Sequence, residues 1–407
     1  VMARQKPPVI PQMRDYSNSP GTFIIQNVYE GTHMQGIEKG EVAYLRVVES
    51  PEKRTWTADA WNGQGAQAPA ANWSSFETKR ILGEVPVKED GSCYVELPSN
   101  KFVFFQLLDK NKKMIQSMRS GTVLMPNERA SCIGCHENRL SAPVVQNRLM
   151  ALSKKPSVLT GWKGGVRDFS YTREVQPILD AKCVQCHDFG KEAGSILNLA
   201  GDRNPYFNAS YIDMHVKETV SLIGGGPAEI QQPKTWGSHA SLLTRYIDME
   251  NHGGITLSQD EKEVLYAWMD INGVYYPFYE SAYPNNPAGR SPLTKDELLQ
   301  LDALTGVNIL NLNGLNRKLG AQIAFERPEL SPCLASLEKE SDKYKKALAI
   351  IKTGQQRLIE TPRADMDGFI PCEKDRRANA KYNALQEREM IRRKAISEGK
   401  KIYDHVI

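Results

Sequence analysis

Cysteine and histidine are scarce in this chain, seven of each among 407 residues. Long apolar runs are missing as well, and none approaches the roughly 20 residues a membrane helix needs. The greasiest stretch, Phe102-Val-Phe-Phe-Gln-Leu-Leu108, has the length of a strand, so a soluble protein without a membrane span is expected. An excess of charge of one sign is also lacking: a net charge of +4 is too small to argue for nucleic acid or a membrane surface. The chain opens Val1-Met2-Ala3-Arg4, with neither a plausible initiator nor a signal peptide, so a mature form or a segment of something longer is expected.

What is present is ordinary in bulk, 40% apolar and 25% charged, on a chain long enough for two or three cores. The pattern predicts an α+β multidomain protein. Residues 1–150 read as an antiparallel β-sandwich-like domain. Its strands are expected over 22–29, 42–48, 92–97 and 102–108, with turns at Asp90-Gly91 and Asp109-Lys-Asn111 and a long loop over 53–78. Residues 166–285 read as an α-helical cytochrome c-like domain. It has a short helix over 173–180, a Gly- and Pro-punctuated loop over 190–236 that includes Gly224-Gly-Gly-Pro227, and a helix over 238–250. A further helix opens with the Ser258-Gln-Asp-Glu261 capping box and sets Val264, Leu265, Trp268 and Met269 on one face. Residues 286–407 form a helical C-terminal extension, with a capping box at Thr294-Lys-Asp-Glu297, a stop at Gly306, and amphipathic helices over 342–360 and 375–403. Residues 342–407 hold sixteen Lys/Arg against ten Asp/Glu, read as a solvated helix face rather than a dock for an acidic partner.

Against that background two motifs stand out: Cys132-Ile-Gly-Cys135-His136 and Cys183-Val-Gln-Cys186-His187. With so few Cys and His, chance would supply a Cys-x-x-Cys-His on the order of 0.002 times in this chain. Two cysteines three apart reach both vinyl groups of one haem, and the next imidazole falls on its iron. The spacing therefore points to two covalently bound haem c groups, haem I at Cys132, Cys135 and His136, and haem II at Cys183, Cys186 and His187. Structural zinc is the competing reading, but zinc pairs stand closer in sequence and each half here ends in its own His.

For the far side of haem II the candidates are His215, His239 and His252. His252, in the loop Asn251-His-Gly-Gly254 before the closing helix, is the expected ligand, so that His187 and His252 hold the iron between them. Haem I has no histidine so placed. Its sixth position is expected to be open or unusual, with His33 and Met114, Met118 and Met125 as candidates. A zinc site of His136, Cys93 and one carboxylate is a minor alternative. Cys93, within a strand, is expected in the core. Cys333 and Cys372 form either a disulfide or two buried thiols.

Several runs resemble hydrazine synthase alpha-subunit-like proteins: Gly83 to Ser92, Gln116 to Gly121, Glu128 to Glu137, Arg173 to Leu179, Asn251 to Ser258 and Trp268-Met-Asp270. The resemblance spans most of residues 15–285, without the β-propeller of that subunit. It implies a bis-histidine haem II at His187 and His252. It also implies an active haem I whose iron is held by a tyrosine four residues after the motif histidine, that histidine serving zinc. Here the tyrosine position is Leu140, a departure that favours ligation of the haem I iron by His136.

The expected function is an exported dihaem c-type cytochrome that transfers electrons as a subunit or segment of a larger redox complex. The alternative is a catalytic haem subunit acting on small nitrogen compounds at haem I. Expected partners are redox proteins, other subunits or a second copy of the chain, in the periplasm or an equivalent lumen, an anammoxosome-type compartment included.

Overall fold

The computed structural model describes residues 15, 17, 19–55, 78–135, 140, 148–223, 231–310 and 320–401. The loop expected over 53–78 lies outside them except at its ends, as does Gly224 to Pro227.

The N-terminal part holds strands β1 (Gly21–Ile25), β2 (Tyr44–Glu49), β3 (Arg80–Pro86), β4 (Cys93–Leu97), β5 (Val103–Leu108), β6 (Met114–Ser117) and β7 (Arg129–Cys132). They form two sheets, one ordered β4-β1-β7 and the other β3-β2-β5-β6. The sheets face each other across one apolar core, with Phe23, Ile25, Val95 and Leu97 opposite Leu45, Val47, Phe105 and Leu107. Because β-strand side chains alternate, the residues between these point the other way. Val48, Ile81 and Phe104 pack there against the helical half. That explains the greasy run at 102–108: β5 is buried at every position because both faces of its sheet are covered.

Two expectations need correction. The sandwich is not purely antiparallel, since β7 runs parallel to β1, with Ile25 beside Cys132. The turn at Asp90-Gly91 exists, with Gly91 at φ +83°, but it joins no hairpin. It carries the chain from β3 in one sheet to β4 in the other. The turn after Asp109 does close a hairpin, between β5 and β6.

The central part contains α1 (Tyr171–Glu174), α2 (Gln176–Lys182), α3 (Glu192–Ile196), α4 (Ala209–Val216), α5 (Leu242–Asp248) and α6 (Gln259–Asp270). The stretch over 190–236 is thus not all loop. Asn208 caps α4 by accepting the Tyr211 N–H at 3.1 Å, and six of the eight residues of α4 are buried. The helix expected over 238–250 is shorter, a single 3-10 turn at Gly237–His239 followed by α5. Both bonds of the Ser258–Glu261 capping box form at the head of α6. The tail adds α7 (Lys295–Thr305), α8 (Asp342–Glu360) and α9 (Glu373–Ser397). Thr294 and Glu297 cap α7, and Gly306 ends it at φ +74°. The helix α8 is amphipathic and buries Ala347, Ile351 and Leu358. By contrast α9 is not, since Asp375 is its one buried residue. No described helix is long and apolar enough to cross a membrane.

Polar groups stitch the parts together. Arg46 on β2 donates to Glu84 Oε1 at 2.8 Å and reaches Asp270 Oδ2 at the end of α6 at 3.4 Å. Gln106 donates to the Asp270 carbonyl at 2.6 Å, and the Ser238 N–H to Asp270 Oδ1 at 2.8 Å. Between α8 and α9, the buried Arg363 and Asp365 pair at 2.7 Å. Asp365 also accepts from Arg203 at 3.3 Å and from the Tyr275 hydroxyl at 2.8 Å.

Burial pushes the Asp270 carboxyl from 3.8 up to about 6, with Arg46 and the Ser238 N–H pulling the other way. Between pH about 4 and 6 the folded state therefore binds a proton that the unfolded state does not, and this group's contribution to stability falls as pH rises through that window. An Asp270→Asn variant has no such slope. The wild type's advantage over it in denaturant titration is expected to be larger at pH 4.5 than at pH 7.5, by on the order of 2–3 kcal/mol. A gap that narrows on acidification would contradict the assignment.

Candidate haem sites

The second motif continues helix α2. The Cys183 N–H donates to the Leu179 carbonyl at 2.7 Å and the His187 N–H to the Cys183 carbonyl at 2.9 Å. One helical turn thus sets Cys183, Cys186 and His187 on neighbouring positions of a single face. Cys183 is half-buried and Cys186 exposed; burial pushes the Cys183 thiol up to about 11. His187 Nδ1 lies 2.9 Å from the Leu197 carbonyl. An acceptor there keeps the proton on Nδ1 and leaves Nε2 as the ligating nitrogen, the usual arrangement for a metal-bound histidine.

Opposite stands His252. Its loop turns through Gly253 and Gly254 at φ +62° and +81°, and Asn251 Oδ1 accepts the Gly254 N–H at 2.7 Å. The His187 and His252 ring centroids are 6.1 Å apart, their planes 26° from parallel. The Tyr246 ring packs against His252, centroids 5.2 Å apart. A gap of that size admits one metal ion between two imidazoles, since two bonds of about 2 Å and the half-widths of two rings span roughly 6 Å.

The other two candidates lie elsewhere. His215 packs between Tyr211 and Trp268 of the helical core, ring centroids 4.2 and 6.4 Å away, with Nδ1 2.6 Å from the Tyr211 carbonyl. Burial lowers its pKa to about 4. His239 Nε2 pairs with Asp109 Oδ2 at 3.2 Å and so ties the helical part to the β5–β6 hairpin.

The first motif begins on β7. The parallel pairing continues past Ile25: Gln26 N–H donates to the Cys132 carbonyl at 3.0 Å and Asn27 N–H to the Ile133 carbonyl at 2.9 Å. Cys135 N–H then donates to the Glu30 carbonyl at 2.7 Å. The backbones approach too closely for side chains. A Cβ on Gly31, at φ +150°, would sit 1.9 Å from the Cys135 carbonyl oxygen, and one on Gly134 would sit 2.3 Å from that of Glu30.

Cys132 and Cys135 line a cleft in one end of the sandwich with ≈ 1070 Å³ of empty space, its open mouth included. Its apolar wall comes from β1, β2 and β5, through Phe23, Ile25, Leu45, Phe105 and Leu107, and its polar rim includes His33, Gln116 and Arg119. His136 lies outside the described residues. Met118 lines the cleft, but its sulfur accepts the Phe105 N–H at 3.3 Å. Met114 is buried in a separate cluster with Trp236, and Met125 is exposed. Leu140 is 95% exposed and offers no oxygen. Cys93 is in the sandwich core as expected, its thiol pushed up to about 12 by burial. Among the described residues no three His, Cys, Asp or Glu side chains gather as a metal site. Cys333 and Cys372 are free, so the disulfide alternative is not realised; Cys333 lies in the core of the tail and Cys372 caps α9.

Residues 40–137 match the family model of the hydrazine synthase alpha subunit middle domain. Over this domain the chain is hydrazine synthase alpha-like. The hydrazine synthase alpha-like segment takes in β2 to β7 and both cysteines of the first motif, but not β1, His33 or the second motif. Among solved structures, Kuenenia stuttgartiensis hydrazine synthase is similar at 18% identity and a TM-score of 0.45, over 63% of this chain and 43% of that one. The chain thus spans less than half the length of that relative. No curated protein matches it.

Three contributors carried no signal in the sequence: the Leu197 carbonyl behind His187, Tyr246 behind His252, and the glycine pair that seats the first motif against the loop after β1.

Proposed function

We propose that this chain is an exported dihaem c-type cytochrome that transfers electrons as a subunit or segment of a larger, hydrazine synthase-type redox complex. Haem c would be held at Cys132, Cys135 and His136 and at Cys183, Cys186 and His187, with His252 the second ligand of haem II. The observation that carries the reading is the placement of His252 with its ring 6.1 Å from that of His187, the residue directly after the second Cys-x-x-Cys turn.

When bound, haem c supplies a one-electron ferric/ferrous couple. The chain's own part is to orient and enclose. The Leu197 carbonyl holds the proton on His187 Nδ1, the Gly253-Gly254 turn presents His252, and the apolar wall of the β cleft keeps water from the first site. Thioether attachment belongs to an exported compartment, the periplasm or an equivalent lumen.

The catalytic alternative, reaction of a small nitrogen compound at haem I, has one observation in its favour: most of the cleft's lining, both cysteines included, falls within the segment that matches the hydrazine synthase alpha subunit middle domain, although β1 and His33 lie outside it. Leu140 argues against it, being exposed and without a donor atom.

Intact mass spectrometry of the exported protein is expected to give the polypeptide plus two haems. Cys132→Ser/Cys135→Ser and Cys183→Ser/Cys186→Ser should each remove one. A wild-type mass with fewer than two haems would refute the reading.

A further inference from the structure

We infer that Arg327 of the C-terminal extension is a positioning residue for haem II: it staples the attachment turn to the chain that returns beside it, and so sets how firmly the Leu197 carbonyl holds the His187 ring. The inference rests on the proposed attachment of haem c at Cys183, Cys186 and His187 and deepens it.

His187 is held twice by the returning chain. Its Nδ1 lies 2.9 Å from the Leu197 carbonyl, and its own carbonyl accepts the Leu199 N–H at 2.9 Å. Asp188 follows His187 directly, and Asp202 lies three residues beyond Leu199. The two carboxylates thus mark the two stretches of chain whose register decides the ring contact.

Arg327 grips both. Its Nη1 and Nη2 donate to the two oxygens of Asp188 at 2.8 and 2.6 Å. Its Nε and Nη2 donate to those of Asp202 at 2.9 and 2.5 Å. Only a planar guanidinium offers enough donors, at a fixed angle, to hold two carboxylates in this way. The same group lies 5.5 Å from the centroid of the Phe189 ring, the next side chain of the turn.

The grip comes from a fixed base in the tail. Phe325 is buried in the tail core, and its N–H donates to the Arg203 carbonyl at 2.8 Å. The Arg203 N–H in turn donates to Glu326 Oε2 at 2.5 Å. The returning chain has an anchor of its own, the Asn198 N–H donating to Asp213 Oδ2 on α4 at 2.6 Å. That bond fixes the returning chain to α4; the staple at Arg327 ties it to the turn that carries His187.

A part-exposed ion pair adds little to stability, so its effect here is on the ligand. A carbonyl that accepts the ring proton makes the imidazole a stronger donor, which favours ferric iron and lowers the potential. Loosening that contact raises the potential. Loss of a nearby cation alone does the opposite, because the ferric haem carries one more positive charge than the ferrous. The sign of the shift therefore separates positioning from plain electrostatics.

The test is a spectroelectrochemical titration of the full-length protein with its haems attached, the haem II couple being the one lost in Cys183→Ser/Cys186→Ser. In Arg327→Ala that couple is expected to move to higher potential while the haem I couple stays in place. Arg327→Lys keeps the charge but cannot grip both carboxylates, and should move the couple the same way by a smaller amount. A fall or no shift in Arg327→Ala, or an Arg327→Lys couple indistinguishable from the wild type, would overturn the inference. The lysine variant retains an ion pair at a half-buried site and so keeps the fold, which makes its potential decisive even where the alanine variant is unstable. A wild type with fewer than two haems would instead refute the proposed function.

Discussion

Replacing His252 by alanine is expected to open haem II completely. In the wild type that iron would be closed by two imidazoles and bind no CO, whereas in the variant one haem per chain should bind it stoichiometrically. The midpoint potential of the same haem should move, because axial ligation is the strongest lever a protein has on a haem couple. The prediction rests on the 6.1 Å separation of the His187 and His252 rings, which leaves no place for a second protein ligand between them. The His252 loop is exposed and stands outside the buried core, so the variant should fold and melt much like the parent. A His252→Ala protein that keeps a bis-imidazole spectrum at haem II would sink the assignment.

The second large effect is on stability. Asp365→Ala is expected to cost about 3–5 kcal/mol, the usual result of removing one partner of a buried ion pair. Arg363 is fully buried, and besides Asp365 it bonds the Asn204 and Phe207 carbonyls at 2.7 and 3.0 Å. Removing the carboxylate strands that cation and takes a partner from Arg203 and Tyr275. The paired arginines hold the Asp365 carboxyl well below the usual carboxylate range against the opposing push of burial. Its contribution is therefore full above the ordinary aspartate pKa and is lost as pH falls below it. Denaturant midpoints of the two proteins at neutral pH measure the effect, and a difference under about 1 kcal/mol would contradict it.

Where local chemistry decides the backbone, the sequence was readable. Ser258, Thr294 and Gly306 act at helix ends through their own side chains or lack of one, and each sits where a capping rule expects it. The turn after Asp109 is similar, because the Asp109 side chain accepts the Asn111 and Lys113 N–H groups itself. Legibility ends where tertiary context decides. Strand β7 is Arg-Ala-Ser-Cys, four residues without an apolar alternation, and it becomes a strand only because β1 lies beside it. Helix α4 follows Gly201, Pro205 and Asn208, which read as loop, yet Asn208 is its cap. Helix α9 carries an apolar residue often enough to suggest a buried stripe, but Tyr382, Leu385, Met390 and Ile391 are all exposed. The motif cysteines needed no structure to be found. That the His252 ring stands near His187 was readable because His252 lies in the loop before the closing helix. His33, distant from Cys132 in sequence, reaches its cleft only through the loop contacts of Gly31 and Gly134.

The parallel pairing of β1 with β7 also sets an order of events during folding. Strands that pair in parallel need a long connection, and here roughly a hundred residues must be gathered before Ile25 can meet Cys132. Pairings of such sequence separation form late, after hairpins such as β5–β6. Until then Cys132 and Cys135 belong to an open, reachable chain. Once β7 docks, the Glu30 and Gly31 backbone fixes the same turn, with both cysteines half-buried on the wall of the open cleft. This one strand pair thus determines when the two thiols acquire their final spacing and orientation.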